Sequence, residues 1–371
     1  MSIEALAKIS RYYGSNPDYV IAGGGNTSFK DQDTLCIKGS GMALADAVPA
    51  AFVRMDRKAL AAIWDKTYPA ESDAREKAVL ADLLAARKAG EEQKRPSVET
   101  MLHDLLPFKY VVHLHPALVN GLTCSKQGKA AMERIFAEEA IWIPSTNPGY
   151  ILSLKVKKAL DGYTAKHGKP AAIIFLQNHG VFAAADSVAG IKDIYRDIMQ
   201  RLEKNSKRQP DFSNESRKAP AEFAPVLAEL AKGKNVRGYT AFLCNTEIAG
   251  LVKDRASFRP VSSAFTPDHI VYAGSDPLFT EAKTPGALRD AWKSHVDKTG
   301  RPPKIVAIQG LGVFGLGAAE KAANLALELF RDSVKVAVYS ESFGGPRFMS
   351  QDQIDFINNW EVEAFRSRIS S

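Results

Sequence analysis

The sequence predicts an α/β protein in two parts: a larger one over residues 1–205 and a smaller, degenerate α/β repeat over 222–371, joined by a linker at 206–221. Two observations carry this. Short apolar runs alternate with longer segments of helical periodicity throughout the first part. The run GKPAAIIFLQNHGVF (168–182) then returns as GRPPKIVAIQGLGVF (300–314), without gaps, at an offset of 132 residues and with seven of fifteen positions identical. Each copy leads into a helix of similar character, near 186–204 and 317–332, so a strand–glycine–helix unit is repeated. A shorter echo links LCIKGSG (35–41) to IVYAGSD (270–276).

Taken in order, the opening MSIEALAKISRYYG reads as an amphipathic helix without a basic-then-apolar leader. TLCIKG, YVVHLH and AIIFLQ read as strands; 54–66, 73–90, 98–106 and 186–204 read as helices. The stretch QRLEKNSKRQPDFSNESRKAPA is polar, charged and punctuated by proline, which marks the boundary between the parts.

The chain has 371 residues, 45% hydrophobic and 25% charged, as an ordinary globular protein does. No window approaches the roughly 20 apolar residues of a membrane span, and the reading places the protein in the cytoplasm with no membrane partner. Cys36, Cys124 and Cys244 are far apart and form no CxxC pair, which argues against a disulfide framework or a thiolate metal site. The net charge of +7 is spread along the chain rather than gathered into an arm. Basic residues are not interleaved with aromatic ones, so no nucleic-acid partner is expected, and the charge suits a small anionic substrate.

The strongest chemical signal is VVHLHP. In a strand, residues i and i+2 share a face, so His113 and His115 project together. Two structural histidines would give the same pattern. His179, in QNHGVF at the end of an apolar strand, adds a third imidazole where functional side chains gather. The repeat has Leu311 at that position, so the histidine is not a requirement of the fold. Three histidines make a site for one divalent metal ion, zinc first, with a coordination position left for water or substrate. Iron, manganese or cobalt accept the same ligands. Glu99 lies in RPSVETMLHDLLP, in the first turn of a helix with Ser97 as its N-cap. A glutamate there also serves the helix dipole. His103 reads as a packing or hydrogen-bonding histidine. The loops IAGGGNTSFKD (21–31) and IKGSGM (37–42), each read as following an apolar strand, bring successive backbone N–H groups into an anion nest, or form tight turns. Gly310, Gly312 and Gly315 spell GxGxxG, but too few strands follow for a dinucleotide fold, and the segment aligns with the His179 strand.

Together, GGGNTS (23–28), KGSG (38–41), PSVETMLH (96–103), HLHP (113–116) and QNHGVF (177–182), in this order, resemble the class II aldolase/adducin family. SESFGGPRFMS (340–350) and NNWEVEAFR (358–366) resemble the end of the aldolase part of the long rhamnulose-1-phosphate aldolase/dehydrogenase proteins. The resemblance implies a three-layer α/β/α domain with a mostly antiparallel central sheet. It implies metal ligands His113, His115 and His179, the acid/base Glu99, and substrate phosphate contacts at Gly25, Asn26, Ser40, Gly41 and Ser97. Val98 departs from it, standing where short members carry a second serine. The implied activity is metal-dependent cleavage or formation of a ketose 1-phosphate, giving dihydroxyacetone phosphate and an aldehyde such as lactaldehyde, in a homo-oligomer. A sugar-phosphate epimerase, dehydratase or decarboxylase, and a non-enzymatic scaffold like the adducin head, are the alternatives. Members of the family use a tyrosine from a neighbouring subunit; Tyr150 in NPGYIL is the match offered for it.

Overall fold

A computed structural model describes residues 3–216, 218–232 and 238–360. They form two compact units, one of residues up to 123, 128–205 and Trp360, the other of 124–127 and 206–359.

The first unit is built on seven strands: β1 (Asn26–Lys30), β2 (Thr34–Lys38), β3 (Phe52–Asp56), β4 (Tyr110–Leu114), β5 (Ala140–Ile143), β6 (Ile173–Leu176) and β7 (Gly180–Ala185). Their order is β3-β2-β1-β4-β7-β6-β5, and every neighbouring pair is antiparallel except β5 with β6. The helices are α1 (Ile3–Gly14), α2 (Arg57–Ile63), α3 (Ser72–Ala85), α4 (Thr100–Leu105), α5 (Ala117–Thr123), α6 (Gly128–Phe136), α7 (Tyr150–His167) and α8 (Val188–Lys204). Alternation along the strands sorts them into two layers. Val111, Ile174, Leu176, Phe182 and Ala184 pack with Leu102 and Leu106 near α4 and with Leu152, Val156 and Leu160 of α7. Leu35, Ile37, Val53 and Met55 pack on the same side with residues of α2 and α3. The other face takes α1, α5 and α8. This is the three-layer, mostly antiparallel architecture expected.

Two readings need correction. Residues 54–56 belong to strand β3, and the helix begins only at Arg57, where the Asp56 carboxylate caps Lys58 and Ala59 N–H groups. The chain before the first glycine loop is not a strand; the strand is NTSFK itself, after the glycines. It lacks an apolar run because its inward hydroxyls are hydrogen-bonded: Thr27 meets Ser10 of α1 at 2.6 Å and Ser28 meets His103 at 2.7 Å.

The second unit holds β8 (Tyr239–Leu243), β9 (Leu278–Thr280), β10 (Ile305–Ile308) and β11 (Gly312–Gly317). Its helices are α9 (Ala224–Leu230), α10 (Thr246–Leu251), α11 (Arg255–Phe258), α12 (Pro285–Thr299), α13 (Glu320–Ser340) and α14 (Gln351–Asn359). The order β8-β11-β10-β9, with only β9 and β10 parallel, reproduces β4-β7-β6-β5. Strands β10 and β11 and the start of α13 each sit 132 residues after β6, β7 and the start of α8. The repeat is therefore structural. Register then identifies the counterparts of the histidines. Phe182 pairs with His113, and its equivalent Phe314 pairs with Phe242; two residues further along the chain, Cys244 answers His115. The shorter echo fails, because His269–Ala273 forms a π-helix and not a strand. GxGxxG lies on the β10–β11 hairpin instead of a strand-to-helix turn. Residues of the polar segment after 205 are bonded within this unit: Arg208 pairs with Glu247 at 2.8 Å and Glu341 at 2.7 Å, and the Ser216 N–H donates to the Cys244 carbonyl.

Among the described residues, no helix is long and apolar enough to cross a membrane.

Candidate metal centre

Three neighbouring strands supply one row of the site. Asn26 of β1 stands opposite His113 of β4, which stands opposite Phe182 of β7. Partners in an antiparallel sheet point to one face, here the α4 face. The His113 and Phe182 rings stack at 4.1 Å. His115 lies just beyond the end of β4, where its N–H donates to the Tyr19 carbonyl at 3.1 Å. His179 comes from the tight β6–β7 connection, in which Asn178 adopts φ +57°. That connection is held by Gln177 N–H on the Ile143 carbonyl and His179 N–H on the Leu176 carbonyl.

One ligand atom from each of His113, His115 and His179 lies within 4.8 Å of the other two. The Nε2 atoms of His115 and His113 are 2.9 Å apart, and those of His113 and His179 are 3.4 Å apart. Nitrogens about 2.0–2.1 Å from a tetrahedral zinc ion stand roughly 3.3 Å from each other, so the spacing fits one ion. His113 Nδ1 donates to the Val181 carbonyl at 3.1 Å. This fixes the neutral tautomer that leaves the Nε2 lone pair available to a metal. Gly180 is required here, since a Cβ would come within 2.5 Å of the Leu114 carbonyl and 2.7 Å of the His115 ring.

Glu99 joins the histidines. Its Oε2 lies 3.6 Å from His113 Nε2, and its Oε1 lies 3.5 Å from His179 Nε2. The carboxylate is 6% exposed, and Oε1 has no hydrogen-bond partner. A buried carboxylate beside His113 and His179, with one oxygen that accepts no hydrogen bond, is the electrostatic counterpart of a cation. The donor set thus fits the divalent ion that the histidines imply.

Helix α4 starts at Thr100, so Glu99 itself occupies the capping position and Ser97 is not the N-cap. Ser97 instead shapes the preceding turn, its Oγ accepting from the Glu99 N–H at 3.2 Å. Asn26 holds the carboxylate, its Nδ2 donating to Glu99 Oε2 at 2.5 Å and to Ser97 Oγ at 3.1 Å. The amide is oriented from behind by His103. That ring meets Asn26 Oδ1 through Nε2 and Ser28 Oγ through Nδ1. Burial keeps the His103 imidazole far below its usual pKa, hence neutral. Since Oδ1 only accepts, Nε2 carries the proton and Ser28 donates to Nδ1.

The remaining substrate candidates lie in two adjoining loops. Gly25 adopts φ +64°, and a Cβ there would come within 2.7 Å of the His113 carbonyl. Ser40 N–H donates to the Arg95 carbonyl, and Gly39 bridges to Pro96, so the KGSG loop runs beside Ser97. Gly41 has φ +83°. Buried Lys38 ties the two loops by donating to the Gly23 and Met42 carbonyls. Tyr150 lies in a hydrophobic cluster with Leu60, Val79 and Met101, and its ring meets Tyr68 at 4.9 Å, so its side chain is a core element of its own chain.

Sequence reasoning missed the Asn26–His103–Ser28 chain and Lys38. Alternation within NTSFK, which puts Asn26, Ser28 and Lys30 on one face, was the available signal.

Fold and centre together define an α/β protein carrying three histidines and a glutamate at the end of a central strand. The chain belongs to the class II aldolase and adducin N-terminal domain family, which residues 4–196 match. Over 98% of its length it is 21% identical to the uncharacterized oxidoreductase YuxG of Bacillus subtilis (strain 168), and it spans 58% of that protein. Among solved structures, the N-terminal class II aldolase domain of a conserved protein from Thermoplasma acidophilum is 27% identical with a TM-score of 0.46, covering 55% of this chain and 93% of that one. A sugar-phosphate aldolase from Thermotoga maritima is 14% identical with a TM-score of 0.40, covering 54% and 92%.

Proposed function

We propose that this protein is a metal-dependent carbon–carbon lyase that cleaves or forms a ketose 1-phosphate, with dihydroxyacetone phosphate and an aldehyde such as lactaldehyde as the products of cleavage. The observation that carries the reading is Glu99, buried beside three converging histidines with one carboxylate oxygen unpartnered. His113, His115 and His179 would hold the ion, zinc first. A divalent ion there supplies Lewis acidity toward the oxygen on which negative charge develops as the carbon–carbon bond breaks. The protein's own groups do the rest. Glu99 transfers a proton between its carboxyl group and the substrate carbon released by cleavage, and takes it back in the condensation direction. Asn26 keeps Glu99 Oε2 fixed, which leaves Oε1 toward the histidines. Backbone N–H groups around Gly25, Ser40 and Gly41, with Ser97, bind the phosphate, so that remote binding energy orients the reacting carbons.

The same reading takes the protein as cytoplasmic and, as the family resemblance implies, a homo-oligomer, with the long aldolase/dehydrogenase proteins as its functional relatives. A screen of ketose 1-phosphates, with rhamnulose and fuculose 1-phosphates first, tests it by scoring release of dihydroxyacetone phosphate. Release should require added zinc and disappear with chelator. Cleavage that survives complete metal removal, or none with any ketose phosphate by zinc-loaded protein, would contradict the proposal. A scaffold of the adducin kind would bind no metal at all.

A further inference from the structure

A single hydroxyl group reaches the backbone of the ligand strand from the opposite side of the sheet. Tyr195 of α8 is completely buried, and its hydroxyl approaches the Val112 carbonyl at 3.0 Å and the Val181 carbonyl at 3.3 Å. Val112 immediately precedes His113. Val181 carries the oxygen that accepts the His113 Nδ1 proton. The same ring packs 5.0 Å from Tyr13 and 6.1 Å from Tyr19, and the Tyr19 carbonyl accepts the His115 N–H. One side chain therefore bonds the anchor of His113 and packs against the ring of the residue that anchors His115.

Packing alone does not call for this hydroxyl. A phenol buried here must find partners or lose roughly 1–3 kcal/mol, whereas leucine would fill an apolar helix–sheet contact without that demand. The second unit makes this comparison within the same chain. Its helix α13 follows β11 at the same offset, and the position of Tyr195 is Leu327. There the place of His113 is taken by Phe242, whose ring packs at 4.8 Å on Phe314, the counterpart of Phe182. Where no imidazole needs a carbonyl acceptor, the repeat dispenses with the hydroxyl. Burial also holds the Tyr195 hydroxyl far above its ordinary pKa, so it remains a proton donor.

We infer that Tyr195 is a positioning residue of the histidine centre: its hydroxyl fixes the Val181 carbonyl, and through it the Nδ1–H tautomer of His113 that directs Nε2 to the metal. The inference rests on the reading that the three histidines bind an ion. It assigns Tyr195 no contact with substrate.

The test compares zinc affinity in the full-length wild type, Tyr195→Phe and Ser10→Ala, by competition with a chromophoric chelator. Ser10→Ala is the control. It also removes a buried hydroxyl from the α1 side of the sheet, with its bonds to Thr27 and Leu6, but bonds neither a histidine nor the Val181 carbonyl that accepts from His113. Loss of an outer partner of a metal ligand weakens metal binding by roughly 10–100-fold; Tyr195 acts one bond further out, so a loss at the lower end, up to about 10-fold, is expected for Tyr195→Phe alone. Nitrogen-15 spectra of the metal-free protein should report a single Nδ1–H form of His113 in the wild type and a tautomer mixture in Tyr195→Phe. Unchanged affinity in Tyr195→Phe, or an equal loss in Ser10→Ala, would overturn the positioning role while leaving the metal site intact. Wild-type protein that binds zinc no better than His179→Ala would overturn the metal reading itself.

Discussion

Glu99 Oε1 and His179 Nε2 face each other at 3.5 Å in the protein interior, and that oxygen accepts no hydrogen bond. The other carboxylate oxygen is held by Asn26. One oxygen is thus fixed and the other is left to face the histidines, as a proton-transferring group beside a cation requires. Glu99→Gln keeps the shape and removes the proton acceptor. Turnover should fall by roughly 10²–10⁴-fold, while zinc content and melting temperature stay near wild type. Steady-state kinetics with metal analysis of the same sample checks this; loss of zinc along with activity would make Glu99 a ligand instead.

Asn26 stands between Glu99 and His103, so its removal strands two buried groups. Asn26→Ala leaves Glu99 Oε2 and His103 Nε2 without their partner. The expected destabilisation is roughly 1–3 kcal/mol, with a fall in kcat larger than any rise in KM. Denaturant melts and kinetics separate this from a role in phosphate contact alone, which would raise KM with little loss of stability.

Gly180 allows the His115 ring and the Leu114 carbonyl to approach the backbone of β7. Gly180→Ala inserts a methyl group 2.5 Å from that carbonyl and 2.7 Å from the ring. Overpacking of this kind typically destabilises by about 1–3 kcal/mol. Here the displaced groups are a proposed metal ligand and its neighbour, so zinc affinity should fall too. Gly162→Ala, in open space inside α7, should leave zinc affinity unchanged and raise stability by about 0.5–1 kcal/mol, and serves as the control.

Lys30 predicts a pH dependence. It lies at the end of β1, with its ammonium on the His103 carbonyl and with Asp104, Arg57 and Asp186 as the charged groups around it. Burial pulls its pKa from 10.5 down to about 7, against the favourable pull of Asp104. The unfolded chain keeps the proton up to pH 10.5, so between pH 7 and 10.5 it binds more protons than the folded one, and stability rises with pH across that window. Below it the buried charge is carried in the folded state and the gain is absent. Lys30→Met should abolish a rise of roughly 2–4 kcal/mol, measured by denaturant melts at pH 7 and pH 9.5; an equal rise in both proteins would contradict it.

The parts of this molecule that were legible from sequence are those whose signal is local. His113 and His115 stand out because polar residues two apart in an apolar strand need a reason. The β6–β7 hairpin is recognisable in its copy because both strands and the turn are contiguous. Asn26, Ser28 and Lys30 were not legible as a strand. Their burial is stabilised by partners more than 70 residues away, Glu99 and His103, and no periodicity records a partner. Residues 54–56, the end of β3, read as helix because Met55 continues the helical spacing of Ala59 and Ile63 in α2. Tyr195 looks like any core aromatic on an amphipathic helix; only register against Leu327 and Phe242 sets it apart. The echo at 270–276 misled because small residues after an apolar run also end a π-helix.

Three histidines of the first unit are proposed to hold one divalent ion, and metal content per chain is the measurement that decides it. Wild-type protein loaded with zinc, dialysed and analysed by mass spectrometry should retain about one equivalent, and His113→Ala or His179→Ala should retain almost none while keeping a wild-type circular dichroism spectrum. Wild-type protein that retains no metal, or a His179→Ala variant that retains as much as wild type, would contradict the account.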